Sequence, residues 1–303
     1  MIPGGPAAMP AGGRELAAAY ARASVPGSSG AILTCWHTAV DGARPSVLIA
    51  LPFGVPGTVT RAAFDALGPV FNVVTWESRY LLNLDEPFSG GEALSPAEHA
   101  ADMRCVLNAL GIARCTLIGY CSGAGISLVA ARQHPDVFGE LILVSGEYQL
   151  FKRGHAATAY QRSIDTFLPV VATSRQQAGA IFARMSEISS LSRSDAQSEL
   201  EHQMNLPFSS EERLFRYARN YMAYRDFDAL VAARDVRQPT FVLSGERDVH
   251  AGTENSEAVR GAIPGATMFI DRDADHYAFC RHGSRILEAI TAHLTRGRAA
   301  AAT

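Results

Sequence analysis

Runs of apolar, β-branched residues recur along the chain, separated by stretches with helical spacing. "AILTCWHTAV" (Ala31–Val40), "SVLIAL" (Ser46–Leu51), "FNVVTW" (Phe71–Trp76) and "CTLIGY" (Cys115–Tyr120) read as strands. "ELILVSG" (Glu140–Gly146), "PTFVLSG" (Pro239–Gly245) and "ATMFID" (Ala266–Asp271) extend the set. Between them lie helical patterns. One surrounds "TRAAFDALG"; a second starts after Ser95, with Pro96 at its first position and Gly111 at its stop. A third, "SGAGISLVAARQHP", ends before Pro135, and the last covers roughly Ser284–Arg296. Strands alternating with helices predict an α/β fold, a mostly parallel sheet with helices on both faces.

The alternation fails between Tyr148 and Val236. "AATAYQRSIDTFLPVVA", "QQAGAIFARMSEIS", "SDAQSELEHQM" and "SEERLFRYARNYMAYRDFDALVAA" all carry helical spacing. A block this long is no plain crossover. It predicts a helical lid, residues 148–236, inserted into a core made of 24–147 and 237–297. Residues 1–23 are expected to be a disordered or extended N-terminal segment and 298–303 a flexible tail.

The strand "CTLIGY" runs into "GYCSGAG" and leaves as a helix, the pattern of a nucleophile elbow. Two candidate nucleophiles, Cys121 and Ser122, stand side by side. The tight turn demands small residues two before and two after the nucleophile. With Cys121 these are Gly119 and Gly123; with Ser122 they would be Tyr120 and Ala124, and Tyr120 is too bulky. Cys121 therefore takes the elbow, and Ser122 becomes the first helical residue, offering its backbone N–H.

Composition narrows the class. The 303 residues are 48% hydrophobic and 19% charged, with a net charge of −3. Those values describe a globular chain with one large core and give no electrostatic footprint for nucleic acid. No apolar run reaches the length of a membrane span, and "MIPGGPAAMPAGG" lacks the pattern of a signal peptide. The five cysteines, Cys35, Cys105, Cys115, Cys121 and Cys280, are odd in number and lack CxxC spacing. Neither a disulfide framework nor a zinc site is expected, and a reducing cytoplasm is the expected compartment.

Four motifs in order make the chain resemble the α/β-hydrolase superfamily over nearly its whole length. "SVLIALPFGVPG" stands where that family has its first core strand and oxyanion loop, and "GYCSGAG" is the elbow. "VLSGERD" looks like the loop that carries the acid, Asp248, and "DADHYAF" like the loop that carries the histidine, His276. The resemblance leaves a rival acid, Glu147, after the preceding strand. It implies oxyanion donors at Ser122 and at Phe53 or Gly54.

Within the superfamily the cysteine elbow, the helical lid and the "LPFGVP" and "VVTWESRY" loops resemble the thioesterase-like aminoacyltransferases of nonribosomal peptide biosynthesis. Those proteins shuttle acyl groups between thiolation domains. Dienelactone hydrolases also carry a cysteine in this frame, but they are shorter and lack such a lid. The resemblance implies no resident cofactor or metal. The acyl group would arrive on the phosphopantetheine arm of a carrier protein and pass through a Cys121 thioester. A cysteine-dependent thioesterase, or an ester or lactone hydrolase, is the alternative. Glu77 and Tyr120 are the substrate-binding candidates; Glu77 would meet an ammonium, or else pair with Arg79. Lys152 and Arg153 are candidates for a phosphate or an acidic carrier. Tyr160, Phe167, Tyr221 and Tyr224 are expected to pack within the lid.

Overall fold

The computed structural model describes residues 20–191 and 198–301. Most of the expected 1–23 segment, residues 192–197 with the "SDAQ" start of one expected lid helix, and the last two residues of the tail lie outside the described residues.

Eight strands form one sheet. They are β1 (Ala21–Pro26), β2 (Ile32–His37), β3 (Ser46–Ala50), β4 (Asn72–Trp76), β5 (Cys115–Tyr120), β6 (Phe138–Val144), β7 (Thr240–Gly245) and β8 (Thr267–Asp271). Their order across the sheet is β1-β2-β4-β3-β5-β6-β7-β8. The β1–β2 and β2–β4 pairings are antiparallel; the rest are parallel. β3 and β4 are buried at every position, as strands covered on both faces must be. β1 was not expected: it begins inside the segment read as lying outside the core.

Because side chains alternate across a strand, the inner strands feed two cores. Leu48, Leu117, Leu141 and Leu143 point to one, with helices α2 (Pro96–Ala109) and α3 (Ser122–Gln133). Ile49, Ile118, Ile142 and Val144 point to the other, with α1 (Arg61–Leu67) and the C-terminal helix. The α2 start follows the sequence signal, with the Ser95 side chain accepting the Glu98 N–H at 3.3 Å.

Between β6 and β7 the described residues hold α4 (Ala159–Val171), α5 (Arg175–Leu191), α6 (Glu199–Met204), α7 (Glu211–Arg225) and α8 (Ala229–Arg234). The long pattern from Ser210 is thus two helices, broken at 226–228. Helix α9 (Thr253–Ala262) and the C-terminal helix α10 (Arg285–Ala301) complete the core, α10 continuing into the expected tail. The lid has its own apolar cluster, built on Ile164, Leu168, Leu214, Phe215 and Ala218. Helix α7 fastens it to the core. Asn220 bonds His99 of α2 at 2.8 Å, and the buried Arg216 reaches the carbonyls of Tyr80 and Glu86 at 2.8 and 3.0 Å. No described helix is long and apolar enough to cross a membrane.

Candidate active site

At the end of β5 the chain turns on Cys121, whose φ of 55° and ψ of −124° lie outside the regions open to most L-residues. Neighbouring backbone holds this conformation. Cys121 N–H donates to Val144 O at 3.1 Å, and Cys121 O accepts from Ala124 and Glu147 N–H at 3.0 and 3.1 Å. The flanking glycines are sterically required. A Cβ on Gly123 would stand 2.2 Å from Ala50 O, and one on Gly119 would stand 2.6 Å from Ala124 Cα. Helix α3 starts at Ser122, so its positive end lies directly behind the Cys121 turn.

The loops after β7 and β8 bring Asp248 and His276 together. Asp248 Oδ2 lies 2.9 Å from His276 Nδ1, and Oδ1 accepts the His250 and Ala251 N–H groups, each at 2.9 Å. Both side chains are buried. Burial opposes a charged His276, but the Asp248 carboxylate and Cys121, both hydrogen-bonded to it, raise its pKa to about 10. Burial also opposes a charged Asp248. The His276 charge and the Ala251 N–H outweigh it and hold the carboxyl below its usual range. Glu147 is not the hydrogen-bond partner of His276 Nδ1; its carboxylate is bound by Gln149 and Gln161. Ligand atoms of Asp248, His250 and His276 lie within 4.8 Å of one another. One oxygen and one nitrogen of that set are occupied by the Asp248–His276 bond, so the geometry is that of a base and its orienting acid.

Two of the three expected oxyanion donors meet beside the elbow. Phe53 N–H donates to Ser122 Oγ at 3.2 Å. The Ser122 N–H belongs to the first helical turn, which has no intrahelical acceptor. Gly54, at φ +69°, shapes the loop, but it is Phe53 that faces the cleft.

The cleft above Cys121 encloses about 760 Å³ including its open mouth. Its floor is Cys121, Ser122, Phe53 and His276; the lid supplies Tyr160, Gln161, Ile164, Phe208, Tyr217, Tyr221 and Tyr224. Three of the tyrosines assigned to lid packing therefore face the cleft. Phe167 instead packs edge-on against Phe208, with ring centroids 6.5 Å apart.

Both substrate-binding candidates are corrected. Glu77 is outside the cleft lining, its carboxylate taking the Trp36 indole N–H at 3.2 Å and the Gly57 N–H at 3.1 Å. It does not pair with Arg79, which is buried against Asp102. Tyr120 is fully buried under the site, and its hydroxyl donates to His276 O at 2.8 Å. Its role is to fix the histidine loop. Lys152 and Arg153 pair with Asp226 and Asp228 at 2.5 and 2.9 Å, clamping the first lid turn to the α7–α8 junction. Gln149, Gln161 and His250 line the cleft without having been singled out for it. The Thr158-x-x-Gln161 capping box was the one available signal, since it fixes how Gln161 is turned.

Known proteins agree with this architecture. The chain is 23% identical over 271 residues to an L-allo-isoleucyltransferase of Pseudomonas savastanoi pv. glycinea, covering 88% of this chain and 93% of the relative. A hydrolase from Pseudomonas aeruginosa PA01 superposes with a TM-score of 0.69 at 18% identity, over 90% of this chain and 98% of that one. An esterase from Exiguobacterium antarcticum superposes with a TM-score of 0.70 at 17% identity, over 90% and 98%. A family model for the alpha/beta hydrolase fold matches residues 63–282. The chain belongs to the alpha/beta hydrolase fold family.

Proposed function

We propose that the protein is an acyltransferase that moves an acyl or aminoacyl group between the phosphopantetheine thiols of carrier proteins, through a thioester on Cys121. The observation that carries this reading is a cysteine, rather than a serine, held at a strained elbow and hydrogen-bonded to a His276 that is itself held by Asp248. The aminoacyltransferase relative supports the aminoacyl form.

In this reading His276 serves as proton carrier and Asp248 holds it in one tautomer. The Cys121 thiolate attacks the donor thioester carbonyl. The developing oxyanion is received by the Ser122 N–H and, once the Ser122 hydroxyl turns aside, by the Phe53 N–H. The C–S bond to the donor arm breaks, and the leaving thiolate takes the proton from His276. An acceptor thiol then returns a proton to His276 and attacks the Cys121 thioester, which regenerates the free cysteine. Each exchange converts one thioester into another, so neither step runs far downhill. An acyl-serine would be a more stable oxyester and a poor donor to a thiol.

Intact-protein mass spectrometry after mixing with an acyl-loaded carrier tests the intermediate. The acyl mass should appear on the protein, and peptide mapping should place it on Cys121. An adduct on Ser122, or none under single-turnover conditions, would reject the covalent route.

A further inference from the structure

We propose that Glu147 is the substrate-anchoring carboxylate of the site, binding the α-ammonium of an aminoacyl group carried on Cys121. The proposal rests on the thioester reading above and names the residue that would make the site prefer aminoacyl groups over plain acyl groups.

The position comes from the sheet. Glu147 follows β6, the strand beside β5, and its N–H donates to the Cys121 carbonyl at 3.1 Å. Its own carbonyl accepts the Tyr224 hydroxyl at 2.6 Å. The N–H is thus fixed to the elbow and the carbonyl to the lid, and Glu147 lines the cleft. An α-ammonium lies only about 2.5 Å from the carbonyl carbon it accompanies. A carboxylate that recognises it must therefore stand beside the nucleophile, where Glu147 is.

The side chain is also held in place. Oε1 accepts the Gln149 N–H at 3.1 Å and Gln161 Nε2 at 2.9 Å, and Oε2 accepts Gln149 Nε2 at 2.5 Å. The Gln161 amide is itself oriented. Gln161 Oε1 takes the Thr158 N–H at 2.9 Å, while Gln149 Oε1 lies 3.1 Å from the Tyr221 hydroxyl, whose one proton Asp165 also accepts at 2.9 Å. Gln161 thus turns its NH₂ toward Glu147, and the Gln149 backbone N–H points the same way, an arrangement that suits a carboxylate. Oε2 keeps acceptor capacity.

Charge in the cleft points the same way. Asp248 balances His276, and burial lowers the His250 pKa to about 4, leaving it neutral. A thioester sulfur is uncharged. Among the described residues, no lysine or arginine pairs with Glu147, and the positive group that acts on it is the already paired His276. Burial holds the Glu147 carboxyl above its usual range, and a cation bound beside it would favour the ionised form. Tyr160 and Tyr217 line the same space with rings that favour a cation.

The test uses calorimetry on the full chain carrying Cys121→Ala, so that nothing reacts. The probes are leucinamide and 4-methylpentanamide, which differ by the amine, at about pH 6.5, where an α-amine is charged. Leucinamide should bind about 10- to 100-fold more tightly. Adding Glu147→Gln should erase that difference. Equal binding of the two amides with Glu147 intact would overturn the proposal even if the Glu147→Gln protein failed to fold. So would a preference that survives Glu147→Gln. Failure of Cys121 to accept acyl groups would strike the thioester reading instead, while the amide comparison would still judge Glu147.

Discussion

Cys121→Ala should abolish acyl loading and lower turnover of the donor thioester by on the order of 10⁴-fold or more, because removing a nucleophile leaves only binding and oxyanion contacts. Ser122→Ala should stay within about tenfold of the native rate, the cost of one ordinary hydrogen bond. It keeps the backbone N–H at the elbow and frees the Phe53 N–H from the Ser122 hydroxyl. The two adjacent substitutions thus separate the two frames of the turn. A severe loss in Ser122→Ala beside a mild one in Cys121→Ala would mean that the serine, not the cysteine, does the chemistry. Cys121→Ser should load slowly, since a hydroxyl depends wholly on His276 to take its proton during attack. The resulting oxyester should then persist or leave as free acid rather than pass to a thiol.

Asp248→Asn should lower the rate of loading by about 10³- to 10⁴-fold, because an amide can hold His276 in the wrong tautomer and cannot balance its charge. The same change has a signature in stability. The folded His276 pKa of about 10 lies above its unfolded value of about 6.5. The folded protein therefore binds more protons between those values. The stability this pair contributes is fully present below about pH 6.5 and is lost as pH rises toward 10. Asp248 has the opposite sign. Its folded pKa is lowered, so its contribution is present above its unfolded value and is lost as pH falls through the folded one. In Asp248→Asn the alkaline decline due to His276 should flatten. Urea unfolding of both proteins at about pH 6 and pH 9.5 reads the difference. An unchanged alkaline slope would mean that His276 draws its charge from elsewhere.

The central strands were legible because each is an apolar run covered on both faces, and the elbow because Gly119 and Gly123 have no steric room for a side chain. β1 was not legible. "ARASVP" has one buried position and no apolar alternation, and it is a strand because β2 pairs with it. Glu77 and Glu147 each follow the end of a strand, and the sequence assigns the first to substrate and the second to the acid's rival. Strand order separates them. β3 and β6 flank β5, so Phe53 and Glu147 border the elbow, whereas β4 is a further strand away, about 5 Å more. Tyr120 was misread for a similar reason. The alternation along β5 turns it to the core shared with α1 and α10, where it supports His276 instead of meeting substrate. The lid's helical spacing was visible, but not which tyrosines face the cleft, since that depends on how α4 and α7 pack over the elbow.

The central claim is that the acyl group on Cys121 is handed to another thiol rather than to water. The direct measurement is a chase of the isolated acyl-Cys121 protein with an unloaded acceptor carrier in excess, with both proteins and the free acid quantified by mass spectrometry over time. The account predicts that the acyl mass leaves Cys121 and appears on the acceptor phosphopantetheine, with free acid a minor product and the adduct long-lived when no acceptor is present. Release mainly as free acid, at a rate that does not depend on the acceptor, would contradict it and make the protein a cysteine-dependent thioesterase.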